Sequence, residues 1–271
     1  MKAMRVAVLG LGEAGSRLAT DLVGVGDEVR GYDPAPVPAI PGVDHYNSPV
    51  EAIAGCSLVL AVTHASSAAA LLASVAGSLH GGLIYADLST GSPGLKEKLA
   101  NQAARRGAWF VDVALMAPVP RRGLATPALA AGSGADQFAA LINARGGRVE
   151  MVGEQAGAAA ARKLLRSVVM KGLAALLIES TEAAARFNQG EWFWNHLVEH
   201  LGAIDQNLME RLLQATPVHA GRRLEEMEAA RDLLIEVGVP ATMTEATIAL
   251  LRRFAEGSIL QAEPGADEFS D

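Results

Sequence analysis

The chain has 271 residues, of which 50% are apolar and 20% charged, with a formal net charge of −7. This length suits one large domain or two modest ones. The acidic balance argues against nucleic acid and anionic membranes as partners. The single cysteine, Cys56, excludes an internal disulfide and a cysteine-based zinc site, and it favours a cytoplasmic location. We predict no membrane span, because charged residues interrupt the most apolar stretch, Leu164 to Ile178.

Short β-rich runs alternate with helical stretches through the first half of the chain. The runs are Arg5–Leu9, Glu28–Tyr32, Leu58–Val62, Gly82–Ala86, Trp109–Val113, Pro127–Ala131 and Arg148–Val152. This alternation predicts a doubly wound parallel sheet with helices on both faces, the Rossmann type of α/β architecture.

The second half of the chain shows helical patterns without a convincing strand. The patterns are Gly157–Phe187, Glu191–Gln214, Ala220–Val237 and Met243–Glu256. We therefore predict an α/β domain over residues 1–154, an all-helical domain over residues 155–262 and an acidic tail over residues 263–271. The long apolar helix faces of the second domain predict a homodimer.

A glycine-rich turn, Gly10-Leu11-Gly12-Glu13-Ala14-Gly15, directly follows the first predicted strand and precedes a helical stretch. Gly10 would permit the tight turn, Gly12 would let the backbone approach a phosphate, and Gly15 would let helix and strand pack closely. The helix N-terminus adds oriented N–H donors. The whole turn is a candidate pyrophosphate-binding site.

The second predicted strand ends at Asp33, 21 residues beyond Gly12. At that spacing a carboxylate accepts hydrogen bonds from adenosine ribose hydroxyls, so the turn and Asp33 together predict an NAD site. The carboxylate would repel the 2′-phosphate of NADP, although Arg30 leaves NADP possible. The alternative is a tight turn in an α/β domain that binds no nucleotide.

The chain lacks the catalytic residues of two classes of dehydrogenase. A short-chain enzyme needs a lysine four residues after a tyrosine, and none of the three tyrosines has one. A zinc alcohol dehydrogenase needs thiolate ligands that one cysteine cannot supply.

Two further segments point to a known family. The segment Asp87-Leu88-Ser89-Thr90-Gly91-Ser92-Pro93 resembles the Asp-x-Ser-Thr-x-x-Pro segment of the β-hydroxyacid dehydrogenase superfamily, which includes 3-hydroxyisobutyrate and 6-phosphogluconate dehydrogenases. Residues 157–163 resemble its Gly-x-Gly-x-x-x-Lys motif, with Ala159 in place of the second glycine. The resemblance implies hydride transfer between a nicotinamide and a small 3-hydroxyacid-like molecule, with Lys163 as the general acid or base.

The resemblance also implies roles for residues around that lysine. Thr63 and His64 would lie along the cofactor, and Ser89 would contact both cofactor and substrate. Thr90 would help to orient the substrate.

Lys163 can be interpreted without the resemblance. It lies near the start of a helical pattern rich in Ala and Leu, at the predicted domain boundary. Partial removal from water favours the neutral amine of a lysine, which could take a proton from a substrate hydroxyl or return one. The alternative is a surface lysine whose stem covers apolar neighbours.

The chain departs from the family pattern at the substrate side. Ser167 stands four residues after the lysine, where the family commonly has Asn, and as the second candidate catalytic residue it would orient the substrate. Met116 lies where a small polar segment is usual, so that a bulkier or less polar substrate would contact it. These departures resemble a divergent branch of 6-phosphogluconate-dehydrogenase-like proteins with a distinct C-terminal domain. Arg166 and Arg223 are candidates for binding an anionic substrate group, against the alternative of pairing with helix-surface carboxylates.

Two other features compete with this interpretation. His196 and His200 match the H-x-x-E-H pattern of zinc peptidases, although a solvated helix face accounts for them and we predict no metal. The aromatic run Trp192-Phe193-Trp194 predicts either a helix or dimer core, or a pocket lining. Two rival functions remain: imine reduction on the same fold, and a cofactor-binding protein without turnover.

Overall fold

The computed structural model describes residues 3–258 of the chain. The predicted acidic tail, residues 263–271, and the last residues of the predicted helical domain lie outside this range. The chain divides into two compact units between Ser167 and Val168. The predicted domain boundary after residue 154 lies just before the long helix that contains this division, and it stays a prediction.

The N-terminal unit contains eight strands among the described residues. They are β1 (Arg5–Leu9), β2 (Glu28–Tyr32), β3 (Val43–His45), β4 (Leu58–Ala61), β5 (Ile84–Asp87), β6 (Trp109–Leu115), β7 (Pro127–Ala131) and β8 (Arg148–Gly153). Its helices are α1 (Glu13–Gly24), α2 (Pro49–Ile53), α3 (Ala65–Val75), α4 (Pro93–Ala104), α5 (Val119–Arg122) and α6 (Ala135–Asn143). Helix α7 (Ala158–Arg186) begins in this unit and continues into the next.

The strands form one sheet in the order β3-β2-β1-β4-β5-β6-β7-β8. All neighbouring pairs are parallel except β6 and β7. The order reverses between β1 and β4, which is the switch point at which nucleotides bind in such sheets. The predicted Rossmann architecture is confirmed.

Two details of the sheet differ from the expectation. Strand β3 was not predicted, because only Val43 of its three residues is buried and no apolar run marks it. Strand β7 runs antiparallel to β6, since the connection between them carries only α5 and a 3₁₀ turn, Gly123–Ala125. A parallel pair requires a longer crossover connection.

Apolar side chains pack on both faces of the sheet. One cluster includes Val6, Val8 and Phe138, and the other includes Leu9 and Tyr85. All residues of β4 and β5 are buried, as expected for central strands covered by helices on both sides.

The C-terminal unit is helical over its described residues. It contains the rest of α7, followed by α8 (Gly190–Gly202), α9 (Gln206–Val218), α10 (Ala220–Glu236) and α11 (Thr242–Ala255). The predicted helix Glu191–Gln214 is two helices, because Asp205 starts a new one: its carboxylate accepts a hydrogen bond from the Leu208 N–H at 2.8 Å. Within residues 3–258, no helix has the length and apolar character needed to cross a membrane.

A buried carboxylate holds two helices of this unit together. Glu179 of α7 is 9% exposed and accepts hydrogen bonds from the Met243 N–H at 2.7 Å and from the Thr244 N–H at 2.9 Å. The Thr244 hydroxyl donates a third at 2.7 Å. Burial acts to raise the pKa of Glu179, but these hydrogen bonds outweigh it, so the pKa lies below its ordinary value. The ionised side chain therefore stabilises the start of α11.

The substitution Glu179→Gln tests this contribution. We expect a loss of about 1–3 kcal/mol in the free energy of unfolding at pH 7, because hydrogen bonds to a carboxylate are stronger than those to an amide. Since the pKa of Glu179 is lowered, the wild type keeps the contribution above its ordinary pKa of 4.5 and loses it as the pH falls through the folded-state value. Urea titrations at pH 7 and pH 3 measure both effects.

The matched control is Glu182→Gln on the same helix. Glu182 pairs with Arg186 at 3.1 Å, but both side chains are about half exposed, so the expected change is at most about 1 kcal/mol. An equal loss in the Glu179 variant at pH 7 and pH 3 would contradict the ionic role of this carboxylate.

Candidate active site

The glycine turn after β1 has the geometry that its sequence predicts. Gly10 has φ of +99°, and a Cβ there would lie 2.1 Å from the Val62 carbonyl oxygen. A Cβ on Gly15 would lie 1.8 Å from the Gly10 carbonyl oxygen. A Cβ on Gly12 would meet no atom within 4 Å. Two glycines are thus required by packing, whereas the third leaves an open backbone face at the N-terminus of α1.

Asp33 follows β2 and is hydrogen-bonded to the same turn. One carboxylate oxygen accepts from the Leu11 N–H at 2.7 Å, and the other accepts from the Ala35 N–H at 2.9 Å. The acid therefore links the glycine turn to the end of the neighbouring strand. Asp33 therefore lies beside the glycine turn, as its spacing of 21 residues from Gly12 predicts.

A cleft of about 630 Å³ opens at the carboxyl ends of β1, β2, β4 and β5. It brings together most of the predicted site residues: Gly10, Gly12, Glu13, Ala14, Gly15, Asp33, Thr63, His64, Thr90 and Lys163. Of the predicted site residues in the N-terminal unit, five do not line it: Leu11, Ser89, Met116, Arg166 and Ser167. Leu11 has a buried side chain and contributes its N–H to Asp33, and Ser89 is buried with its hydroxyl donating to Asp87 at 2.9 Å.

The cleft contains a lysine and a hydroxyl in direct contact. The Lys163 ammonium nitrogen donates to the Thr90 hydroxyl oxygen at 3.0 Å. Thr90 lies in the turn after β5, and Lys163 lies in the second turn of α7. The two segments that resemble dehydrogenase motifs thus meet in one place.

A buried ion cluster lies beside this contact and was not predicted. Lys96 of α4 is 0% exposed, and its ammonium nitrogen lies 2.8 Å from a carboxylate oxygen of Asp87 and 3.2 Å from one of Asp112. The other oxygen of Asp112 accepts hydrogen bonds from the Gly157 N–H at 3.1 Å and the Ala160 N–H at 2.9 Å. A sequence signal existed: Lys96 shares helical spacing with the buried Leu99 and Ala103.

The predicted substrate residues Met116, Arg166 and Ser167 are not among the residues that line the cleft. Arg166 donates to the Met116 carbonyl oxygen at 2.7 Å, and its side chain is exposed. Ser167 is half-buried on α7. Arg223 belongs to the C-terminal unit, where it donates to the Thr216 hydroxyl.

The histidines and tryptophans of α8 are exposed, whereas Phe193 is half-buried. The rings of His196 and His200 are 3.9 Å apart, and Trp192 stacks on His196 at 5.2 Å. Trp192 and Trp194 are each more than half exposed. In the part of the chain that the structure describes, no three His, Cys, Asp or Glu residues are grouped to hold a metal.

Two sequence families match separate parts of the chain. Residues 5–120 match the family described as the NAD binding domain of 6-phosphogluconate dehydrogenase. Residues 184–254 match a domain of unknown function, DUF1932. Residues 5–120 are therefore similar to an NAD-binding domain of the 6-phosphogluconate dehydrogenase type, which confirms the predicted resemblance and the predicted cofactor.

Three similar proteins cover nearly the whole chain. The uncharacterized 28.5 kDa protein in the 7S RNA 5′ region of Methanothermus fervidus is 24% identical over 258 residues, 93% of this chain and 100% of the relative. A conserved protein of unknown function, described as structurally similar to 3-hydroxyacid dehydrogenases, is 28% identical with a TM-score of 0.62, covering 94% of this chain and 98% of its own.

The third is a reductive aminase from Aspergillus terreus in complex with NADPH4, cyclohexanone and allyl amine. It is 21% identical with a TM-score of 0.78, covering 94% of this chain and 95% of its own. The chain thus has the NAD-binding fold that hydroxyacid dehydrogenases and imine reductases share.

Two glycine substitutions separate packing from binding in the turn. Gly15→Ala should lower the free energy of unfolding by about 1–3 kcal/mol, because the new Cβ meets backbone that cannot move aside. Gly12→Ala should leave stability within about 0.5 kcal/mol but weaken NADH binding at least about tenfold, since its Cβ covers the open backbone face. Thermal unfolding and NADH fluorescence titration measure the two effects. Unchanged NADH affinity in the Gly12 variant would place the dinucleotide elsewhere.

Proposed function

We propose that the chain is an NAD(H)-dependent oxidoreductase that transfers hydride between the nicotinamide and a small 3-hydroxyacid-like molecule, with Lys163 as general acid or base. The observation that carries the proposal is the contact between Lys163 and Thr90 at 3.0 Å, inside the cleft that also contains the glycine turn. A proton-handling group and a dinucleotide-binding turn are the two parts that such a reaction requires.

The residues of the cleft fit a dinucleotide. The open face at Gly12 and the N-terminus of α1 suit the pyrophosphate, and the Asp33 carboxylate suits the adenosine ribose hydroxyls. Thr63 has a buried hydroxyl oxygen that lacks a hydrogen-bond partner among the described residues, and it lines the same cleft with His64. When bound, the nicotinamide supplies or accepts the hydride.

The charges around Asp33 favour NAD over NADP. The Asp33 carboxylate would repel a 2′-phosphate, and Arg30, the nearby cation that could attract one, is already engaged. Arg30 donates to the Ala54 carbonyl oxygen at 2.8 Å and to Glu28 at 3.3 Å, and its guanidinium lies 5.1 Å from the centre of the Tyr46 ring. NADP stays possible if Arg30 exchanges these contacts for a phosphate.

The chain's own groups then have the following roles. Lys163 takes the proton of a substrate hydroxyl during oxidation, or returns it during reduction, and Thr90 orients the lysine through its hydroxyl. Ser89 acts from the buried side by fixing Asp87. Ser167, on the same helix as Lys163, would contact the substrate.

Three further residues are proposed as substrate contacts. Arg166 and Arg223 would attract an anionic group of the substrate, and Met116 would give the pocket an apolar wall. In the chain as described, Arg166 and Arg223 are hydrogen-bonded to Met116 and Thr216, so binding a substrate anion would require a change of partners.

Imine reduction on the same fold is the second candidate. The similarity to the reductive aminase supports it, but that similarity extends to the fold alone. Lys163 favours the hydroxyl substrate, because imine reductases typically lack this lysine. A third possibility is a cofactor-binding protein without turnover, which the replacement of the usual Asn by Ser167 allows.

The exposed apolar residues support a homodimer. Among the described residues, eight large apolar side chains are each more than 60% exposed: Leu165, Val168, Val169, Ile178, Trp192, Leu213, Val218 and Ile235. A single chain rarely leaves so much apolar surface in water, and a second copy in a closed pair would cover it. Light scattering should give a molar mass of two chains, and a mass of one chain would contradict the homodimer. The single buried thiol, Cys56, supports a cytoplasmic location.

The substitution Lys163→Ala tests the proton-handling role. We expect turnover on a panel of hydroxyacids to fall by about 10²–10⁴-fold, the usual contribution of a general acid or base. NADH affinity, measured by calorimetry on the same samples, should stay within about threefold because the glycine turn is intact. The matched control is Lys171→Ala, an exposed lysine of the same helix, which should keep full turnover.

The same substrate panel includes cyclic imines, so that the three candidate functions predict different results. An imine reductase would keep most of its turnover after Lys163→Ala, which would contradict the proposed role. A wild type that binds NADH but turns over no hydroxyacid and no imine would support the cofactor-binding protein instead.

A further inference from the structure

We propose that Lys96 is a positioning residue of the active site: its buried ammonium group fixes both the turn that carries Thr90 and the helix turn that carries Lys163. The inference rests on the proposed function insofar as Lys163 handles the proton. Lys96 does not line the cleft, so it would act through its neighbours.

The first link runs from Lys96 to Thr90. The Lys96 ammonium donates to a carboxylate oxygen of Asp87 at 2.8 Å and to the Asp87 carbonyl oxygen at 2.9 Å. The same carboxylate accepts from the Ser89 hydroxyl at 2.9 Å and from the Ser89 N–H at 3.3 Å. The end of β5 and the residue before Thr90 are therefore held from the buried side, and Thr90 has little freedom to move.

The second link runs from Lys96 to Lys163. The Lys96 ammonium lies 3.2 Å from Asp112, whose other carboxylate oxygen accepts from the N–H groups of Gly157 and Ala160. These donors belong to the start of α7, and Ala160 is less than one helical turn before Lys163. Asp112 therefore fixes the position and direction of the turn from which Lys163 extends.

The charges explain why a cation is needed at this position. Asp87 and Asp112 are opposite each other in the register of β5 and β6, and both are buried. Two unscreened carboxylates in such an environment repel strongly, and an unpaired buried charge is costly. Lys96 balances one charge, and the N–H groups at the start of α7 stabilise the other. Without the ammonium group, at least one carboxylate would have to move or take up a proton.

The two links meet again in the cleft. The hydrogen bond from Lys163 to Thr90 joins the end of the first link to the end of the second. A loss of Lys96 should therefore loosen this contact and make the Lys163 amine more accessible to a reagent.

Competitive acetylation tests this inference without a substrate. The chain has five lysines, at positions 2, 96, 98, 163 and 171, so mass spectrometry can follow each one separately. Labelling of Lys163 by acetic anhydride at pH 8 is compared with labelling of the exposed Lys171. Thr90→Val shows the effect of removing the Thr90 hydroxyl from Lys163. Lys98→Met is the matched control, because Lys98 is an exposed residue of the same helix.

In Lys96→Met, we expect labelling of Lys163 to rise at least about threefold relative to Lys171 and to approach the value in Thr90→Val, the effect expected for one lost hydrogen bond. Lys98→Met should equal the wild type. NADH affinity should stay within about twofold, because the glycine turn is unchanged. If Lys96→Met loses the native circular dichroism, the double variant Lys96→Met with Asp112→Asn is used instead. It removes one carboxylate together with the ammonium group.

A folded variant without Lys96 that labels Lys163 at the wild-type rate would overturn the proposal and leave Lys96 a purely structural residue. A rise of the same size in Lys98→Met would also overturn it. Failure of the proposed function has a different signature, the absence of NADH binding or turnover in the wild type, and it does not alter the labelling comparison.

Discussion

The buried cluster of Asp87, Lys96 and Asp112 is the interaction on which the arrangement of the candidate site depends. One lysine, fully removed from water, pairs with carboxylates from two neighbouring strands. Such clusters are costly to form, because three charged groups lose their hydration. The cost is offset by the partners of each group: backbone N–H groups at the start of α7 donate to one Asp112 oxygen, and the other lies 3.2 Å from the Lys96 ammonium as an ion pair without a hydrogen bond. The cluster is therefore intolerant of small displacements, which suits the proposed role of Lys163 as a general acid or base held in a fixed position.

The remaining parts of the site follow from the topology of the sheet. Parallel strands direct their carboxyl ends to one edge, so the loops after β1, β2, β4 and β5 meet around one cleft. Close packing at Gly10 and Gly15 shapes the first loop, and Asp33 attaches it to the second. The result is a dinucleotide-binding edge with a lysine and a hydroxyl at one end. This combination, rather than the fold alone, is what supports an oxidoreductase.

Local patterns made much of this structure predictable. Seven of the eight described strands, the glycine turn and Asp33 are visible in the sequence because each depends on residues close together in the chain. Lys96 was missed because its burial depends on Asp87 and Asp112, which become its neighbours only after β5 and β6 pair. The antiparallel direction of β7 was also missed, because it depends on the length of the connection between β6 and β7 and not on the composition of that connection. The positions of Ser167, Arg166 and Arg223 relative to a substrate stay predictions, since no local pattern determines them.

The central claim is that the cleft binds NAD(H) through the glycine turn and Asp33. The most direct measurement is a calorimetric titration of the wild-type protein with NADH and with NADPH, side by side in the same buffer. The account predicts one site per chain, with NADH bound at least about tenfold more tightly than NADPH. If neither dinucleotide binds, the glycine turn is only a turn, and the oxidoreductase account is contradicted.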